Sequence, residues 1–321
     1  MKRRLLIFLS LCAATELFGQ DVGSVAGVLA SQGFAGAPLK RRFGNHLFVP
    51  VSINNHRAAL MIDTGAPITI IDRSSVGTFG LKVQTTRVGV GRVFGPSGER
   101  FGLSEISTLA MGNCVLTNVP VAVADEADMN EYTRLAHLDG LFGAHEMRRF
   151  GAVIDCARQM LYISPHGPNG AASAKLAGFL AARGFTRVPL HENSNGHFEV
   201  DGAINGRSTR FIVDTGASTT LLSKQLGVAA GVAPAPTHIG VEKGAGQFEH
   251  ISSGVVKDFS VGSFALNNAE VALGNVSNEM LRGDVQGESN AGLLGIEHMS
   301  LNFAVIDLGS MSLYLRHPDK R

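Results

Sequence analysis

The sequence predicts a mostly-β protein built as two similar lobes in one chain, each opening on a short helix. Three observations predict it. The chain repeats itself at a nearly constant offset. Within each copy, short alternating apolar stretches and turn signals follow in the same order. The composition fits strands and turns: 39 glycines, no tryptophan, 45% apolar and 17% charged residues over 321 positions, which is a packed globular chain and not a disordered one. A net charge of +1 gives no general pull toward nucleic acid or a membrane surface.

The N-terminus comes first. Lys2, Arg3 and Arg4 precede the apolar run 5–14. That run is short for a bilayer span and suits a signal peptide over residues 1–19, cleaved after Gly19. Export to the periplasm or the outside of the cell follows. Cys12 follows Leu11 and not a small residue, which argues against a lipid anchor. An uncleaved N-terminal anchor is the weaker alternative. No later stretch is long enough for an integral membrane span.

The repeat is read next. VAGVLASQGFAGAPL (25–39) lies over LAGFLAARGFTRVPL (176–190) at an offset of 151, and the same offset carries His46 to His197 and Asp63 to Asp214. One insertion later, 139–163 lies over 291–315 at an offset of 152, so that Gly140 meets Gly292 and Gly143 meets Gly295. This is a duplicated unit of about 145 residues. The expected organisation is a first lobe over 20–164, a linker over 165–172 and a second lobe over 173–317.

Each unit reads alike. A helix over about 22–32, or 173–183, stops at Gly33 or Gly184, since a glycine can take the left-handed turn that ends a helix. A hairpin follows, turning at Asn54-Asn55 or at Asn205-Gly206, both dipeptides suited to positive φ. Further strands are expected near 84–94, 100–110 and 115–123, and near 235–243, 247–259 and 264–273. Each unit closes on Gly-Leu-Phe-Gly or Gly-Leu-Leu-Gly and a short hairpin.

The chemistry sits at the end of the first hairpin. LMIDTGAPITIID (60–72) and RFIVDTGASTTLLS (210–223) each place Asp-Thr-Gly-Ala after an apolar strand. About 77 residues later each is trailed by its Gly-x-x-Gly segment. A lone Asp-Thr-Gly is most often a turn. Two at equivalent repeat positions, over nearly the whole mature chain, resemble the retropepsin-like aspartic protease family, here as two tandem units. The resemblance implies two β-barrel-like lobes about a pseudo-two-fold axis, with a cleft between them. It implies Asp63 and Asp214 as the catalytic pair of an aspartic endopeptidase. Thr64, Gly65 and Ala66, with Thr215, Gly216 and Ala217, would support the catalytic loops. Two close carboxylates cannot both ionise and share a proton; one removes a proton from water while the other donates to the peptide carbonyl. This protease class is the standard illustration of such a shared proton.

Departures from the family pattern are informative. Ala66 and Ala217 stand where pepsin-like relatives usually have Ser or Thr. Losing that hydroxyl should raise the pKa values of the pair. Flaps are expected at 91–101 and 241–250, with Phe94, Gly95, Gly98, Gly244 and Gly246 near the tips and no tyrosine in either. Two residues past the glycine the family often has an acid; Glu297 fits and His145 does not, so the first lobe is expected to lack a local polar contact.

Other chemistries find little support. AHEM and IEHM lack the His-Glu-x-x-His spacing of a zinc site and read as surface helix polar residues. No cofactor or metal is expected. GVGRVFG (89–95) lacks dinucleotide-loop spacing, and no nucleophile elbow is present. His46 and His197 read as structural. Cys114 and Cys156 could pair in an oxidising compartment or be two buried thiols. The expected partner is a protein or peptide bound as an extended strand, and one chain carries both half-sites, so a monomer suffices. A non-catalytic peptide-binding scaffold with the same fold is the alternative.

Overall fold

The computed structural model describes residues 23–42, 44–85, 102–124, 138–243, 247–274 and 292–318. The expected signal peptide and the flap-tip residues Phe94, Gly95, Gly98, Gly244 and Gly246 lie outside these.

The first lobe opens on helix α1 (Val25–Ala30), with Ser24 as its N-cap. Helix α1 ends at a glycine turn: Gly33 has φ +83°, and the Phe34 N–H donates to the Leu29 carbonyl at 3.1 Å. Strands β1 (Ala35–Pro38), β2 (Lys40–Arg42), β3 (His46–Ile53) and β4 (His56–Asp63) follow. The β3–β4 turn has Asn54 at φ +47° and Asn55 at φ +69°, the left-handed pair that matches strand twist. Then come β5 (Ile70–Asp72), β6 (Gln84–Thr85), β7 (Gly102–Met111), β8 (Cys114–Ala124), β9 (Gly140–Gly143), helix α2 (Ala144–Arg149), β10 (Val153–Asp155) and β11 (Met160–Ile163).

The second lobe repeats the plan. Helix α3 (Gly170–Ala181) starts three residues before the sequence-based estimate, because Asn169 caps it: its side-chain oxygen accepts from Ala171 N and Ala172 N. Part of the linker-like stretch is therefore helix. Gly184 (φ +76°) ends α3 as Gly33 ends α1. Strands β12 (Thr186–Pro189), β13 (His191–Glu192), β14 (Phe198–Ile204), β15 (Arg207–Asp214) and β16 (Leu221–Ser223) lead to helix α4 (Lys224–Ala229). The antiparallel pair β17 (Pro234–Lys243) and β18 (Gln247–Val256) shifts register between Pro234 and His238 and pairs out to Lys243↔Gln247. Strands β19 (Phe259–Val261), β20 (Phe264–Ala265), β21 (Ala269–Gly274) and β22 (Gly292–Gly295), helix α5 (Ile296–Leu301), β23 (Val305–Asp307) and β24 (Ser312–Leu315) complete the lobe.

Each lobe has its own sheet, β2-β3-β4-β9-β5-β8-β7-β6 in the first and β17-β18-β21-β16-β22-β15-β14-β19-β20 in the second. A third sheet, β1-β11-β10-β23-β24-β12, is shared. The closing hairpins of the two units meet in it edge to edge, with Val153↔Asp307, Ile154↔Ile306 and Asp155↔Val305 as the seam. Helices α1 and α3 cover one face of it, with Leu29, Leu176 and Leu180 packed on Val153, Tyr162, Val305 and Tyr314. On the other face one continuous apolar core runs from the first barrel (Val49, Ile62, Phe142) to the second (Val200, Phe211, Leu294).

Cys114 sits at the β7–β8 turn opposite Met111, and Cys156 follows β10; both are buried free thiols. The candidate disulfide is thereby corrected in favour of two buried thiols. Burial in apolar surroundings pushes the Cys114 thiol up, and Cys156 further still, so both stay protonated.

Candidate active site

The Gly-x-x-Gly segments create the site by letting strands cross. β9 lies between β4 and β5, parallel to β4 and antiparallel to β5. β22 lies likewise between β15 and β16. The chain leaving β4 must therefore pass over the end of β9 to reach β5. There is no room for a side chain at the crossings. A Cβ on Gly140 would lie 2.2 Å from the Ile70 carbonyl oxygen, and one on Gly292 2.0 Å from that of Leu221. Gly143 and Gly295 are equally close to the backbone at Ile68 and Thr219. The crossing leaves Asp63 and Asp214 at strand ends, each starting a tight loop.

The two loops interlock. The Thr64 N–H donates to Thr215 Oγ1 and the Thr215 N–H to Thr64 Oγ1, both at 3.0 Å. Each hydroxyl donates onward into the opposite lobe, Thr64 Oγ1 to the Val213 carbonyl at 2.6 Å and Thr215 Oγ1 to the Ile62 carbonyl at 2.7 Å. Both threonines are fully buried, so these four bonds satisfy groups that have no access to water. They also fix the two strand ends against each other.

The carboxyl groups then face one another across the two loop glycines. A Cβ on Gly65 would lie 2.4 Å from Asp214 Cγ, and one on Gly216 2.4 Å from Asp63 Oδ1. Only glycine allows that approach. Each carboxylate also accepts two N–H groups of its own loop. Asp63 Oδ1 takes Gly65 N at 2.9 Å and Ala66 N at 3.0 Å; Asp214 Oδ1 takes Gly216 N at 2.8 Å and Ala217 N at 3.1 Å. Burial raises the Asp63 pKa against these bonds. Burial and the facing Asp63 charge push Asp214 well above the usual carboxylate range. The pair can therefore hold one proton where free aspartates hold none.

Behind each loop lies a polar support, which the sequence reading placed at Glu297 in the second lobe and missed at Glu146 and His298. In the first lobe Glu146 is 2% exposed. Its carboxylate accepts Thr69 N at 2.9 Å and Thr69 Oγ1 at 2.6 Å, while Thr69 Oγ1 accepts Gly143 N at 3.0 Å. The first lobe thus has the local polar contact expected to be missing, supplied one residue later than His145. In the second lobe Thr220 Oγ1 accepts Gly295 N at 3.0 Å and pairs with His298 Nδ1 at 2.8 Å, and Thr219 Oγ1 donates to Glu297 at 2.7 Å. His298 is 7% exposed. Reading AHEM and IEHM as surface polar residues is therefore wrong for Glu146 and His298. The available signal was the reversed order, His-Glu in one copy and Glu-His in the other: the repeat-equivalent buried position holds Glu146 in one lobe and His298 in the other.

His46 and His197 are both buried, and burial lowers the pKa of each imidazole. The turn that leads into His197 meets the first lobe's loop, where a Cβ on Gly196 would lie 3.4 Å from Pro67 Cβ. Among the described residues no group of three or more His, Cys, Asp or Glu side chains is placed to hold a metal ion, and no helix is long and apolar enough to cross a membrane.

A retropepsin-like aspartic protease from Rickettsia conorii aligns at 19% identity and TM-score 0.29, covering 40% of this chain and 89% of its own. The aspartic proteinase from Irpex lacteus aligns at 14% identity and TM-score 0.47, covering 89% of this chain and 98% of its own. No curated protein matches. A sequence model described as aspartyl protease matches twice, over residues 49–145 and 200–298, once in each lobe and around each Asp-Thr-Gly loop. The chain belongs to the aspartyl protease family and carries two of its units in tandem.

Proposed function

We propose that the chain is an exported aspartic endopeptidase that hydrolyses peptide bonds of protein substrates. The observation that carries this reading is the interlocked pair of loops, which sets two carboxyl groups face to face with no side chain between them. The pair holds a single proton. Its ionised carboxyl takes a proton from a bound water, and that water attacks the peptide carbonyl carbon. Its protonated carboxyl donates to the carbonyl oxygen. The tetrahedral adduct then collapses, and the proton gained from water passes to the leaving amine. No covalent enzyme intermediate is formed. The substrate lies extended in the cleft and is held by strand-like main-chain hydrogen bonds. Export rests on the basic and apolar N-terminal pattern alone.

Asp63→Asn and Asp214→Asn test this directly. Each should lower kcat on a denatured protein substrate by roughly 10²-fold or more, the usual worth of a positioned acid or base, with the fold intact by circular dichroism. Wild type that releases no more peptide than these variants across about pH 3–8 would mark the chain as a binding scaffold. The raised pair and the missing loop hydroxyls support an optimum in mildly acidic to neutral solution. A rate maximum below about pH 3, under the free aspartate range, would overturn that placement.

A further inference from the structure

The two crossing glycines are held by equivalent threonines, but the hydroxyls of those threonines are held by unlike partners. Thr69 and Thr220 stand 151 residues apart and are fully buried. Each hydroxyl oxygen accepts the N–H of its crossing glycine at 3.0 Å, Gly143 in the first lobe and Gly295 in the second. Those glycines are the register partners of Asp63 and Asp214. The hydroxyl therefore ties the loop that follows each candidate catalytic carboxyl to the strand lying beside it. In the first lobe it donates onward to the Glu146 carboxylate at 2.6 Å, which also accepts Thr69 N at 2.9 Å. In the second it meets His298 Nδ1 at 2.8 Å.

The direction of that last bond follows from the hydrogens available. Among the described residues the partners of Thr220 Oγ1 are Gly295 N, a donor, and His298 Nδ1. A fully buried hydroxyl needs an acceptor for its own hydrogen, so Nδ1 accepts and the ring proton sits on Nε2. A second proton on the ring would land on Nδ1 and turn this acceptor into a donor. The Thr220 hydroxyl would then have no acceptor in a place closed to water, and such a bond is costly to leave unmade. We propose that His298 is a positioning residue for Asp214 and that protonation of its ring loosens the second lobe's loop, while the equivalent loop of the first lobe is held by Glu146 and does not answer to that proton. Glu297 precedes the ring on α5 and is taken up by Thr219 Oγ1. Arg41 reaches the same helix from the first lobe at Ser300. β22 brings Gly-Leu-Leu-Gly, and β19 brings the Phe259 ring edge-on at 6.2 Å. β15 ends in Asp214, with Gly295 and Thr220 between it and the ring. Burial lowers the imidazole pKa against the Glu297 charge. The folded chain thus takes this proton below the free value of about 6.5, where the unfolded chain takes it. The contact's stabilisation is whole above that pH and is lost as pH falls through the folded value.

Amide NMR of the whole chain reads the contact without any need for catalysis. His298→Asn keeps an acceptor near the place of Nδ1 and cannot titrate; His298→Leu removes the acceptor. Ring 15N shifts near neutral pH, assigned by His298→Asn, should show the proton on Nε2. As pH falls from about 7 to 4, the Gly295 amide should shift with the imidazole. Its hydrogen-exchange protection should drop by about tenfold, the worth of one buried hydrogen bond left unmade. The Gly143 amide should show no inflection there. The Gly295 inflection should vanish in His298→Asn, and protection should be low at every pH in His298→Leu. A ring proton on Nδ1, a Gly295 amide that does not follow the imidazole, or an inflection that survives in His298→Asn would overturn the proposal. If His298→Leu does not fold, wild type and the Asn variant decide. The kinetic arm rests on the peptidase reading: where the wild-type ring is protonated, His298→Asn should keep about tenfold more of its kcat, with KM little changed. Cleavage whose acidic limb is the same in both chains would overturn the positioning of Asp214 even if the amide titrates. A Gly295 inflection in a chain that cleaves nothing upholds the proton-sensitive contact and sinks the peptidase reading; cleavage with no inflection does the reverse.

Discussion

Ala66 and Ala217 occupy the same place in their loops but not the same surroundings. Ala66 is buried in a small apolar cluster with Phe48, Met61, Ile70 and Leu141. Ala217 is half-exposed, and the repeat partner of Phe48 is Glu199. A hydroxyl at 217 should therefore be tolerated and can donate to the carboxylate beside it. Ala217→Ser is expected to move the acidic limb of the pH–rate profile downward with little change in Tm. Ala66→Ser should lose about 1–3 kcal/mol, the usual penalty of a hydroxyl forced into an apolar site, read by urea unfolding. The raised Asp214 carboxyl gives a second expectation. The unfolded chain releases this proton near the free aspartate pKa, about 3.9, while the folded chain holds it to higher pH. The carboxyl thus favours the fold below that value and loses this contribution as pH rises through the folded pKa. Asp214→Asn should raise Tm at pH 7, with a gain that closes below about pH 4; thermal melts over a pH series check it. At this scale the sequence spoke clearly where the repeat spoke. Asp63 found its partner by offset alone. Glu146 and His298 were not legible, because which of two adjacent polar residues turns inward depends on how the helix lies on its crossing strands.

Among elements, the two crossings are the least forgiving part of the fold. Gly140→Ala would drive a methyl into the Ile70 carbonyl at 2.2 Å. Neither neighbour is a flexible side chain, so the strands must separate, and a loss above about 3 kcal/mol is expected. Gly33→Ala makes the useful contrast. Its φ is +83°, and a Cβ there meets nothing within 4 Å, so the cost is backbone strain alone, about 1–2 kcal/mol. Urea midpoints of the two variants should differ in that order. Reversal would mean that the crossing relaxes more easily than its geometry implies. The local elements with strong chemistry were readable: the Asn54-Asn55 and Asn205-Gly206 turns, the glycine-ended helices, and the strands flanking 63 and 214. The shared sheet was not. Its strands are three or four residues long, and β10 pairs with β23 across about 150 residues of chain. No local period encodes that partner.

For the molecule as a whole, the shared sheet decides how the two lobes behave. Two lobes joined by a linker and a polar contact would unfold separately, as domains with modest interfaces do. Here the seam runs through backbone hydrogen bonds at Ile154↔Ile306, and the apolar core is continuous beneath it. Side chains add ties at the margins. Arg41, on β2 of the first lobe, donates to the Cys156 carbonyl at 3.0 Å and to Ser300 Oγ on α5 of the second at 2.7 Å. The repeat-equivalent residue is Glu192, which pairs with Arg148 on α2 of the first lobe. The same strand-to-helix bridge is thus made twice, with the strand residue changed from cation to anion. The Arg148–Glu192 pair is partly exposed, so removing it should cost under about 1 kcal/mol. Ile154 and Ile306 are fully buried, and Ile154→Ala should cost about 2–5 kcal/mol. The decisive expectation concerns cooperativity. Reporters in the two barrels, such as single tryptophans at Phe79 and at Phe259 in this tryptophan-free chain, should melt together in wild type. Ile154→Ala should lower both midpoints by the same amount. Separate transitions in wild type would mean that the seam joins two independent domains. Since the site is made of one loop from each lobe, those loops would then part as the seam opened, and activity would fall at the first transition.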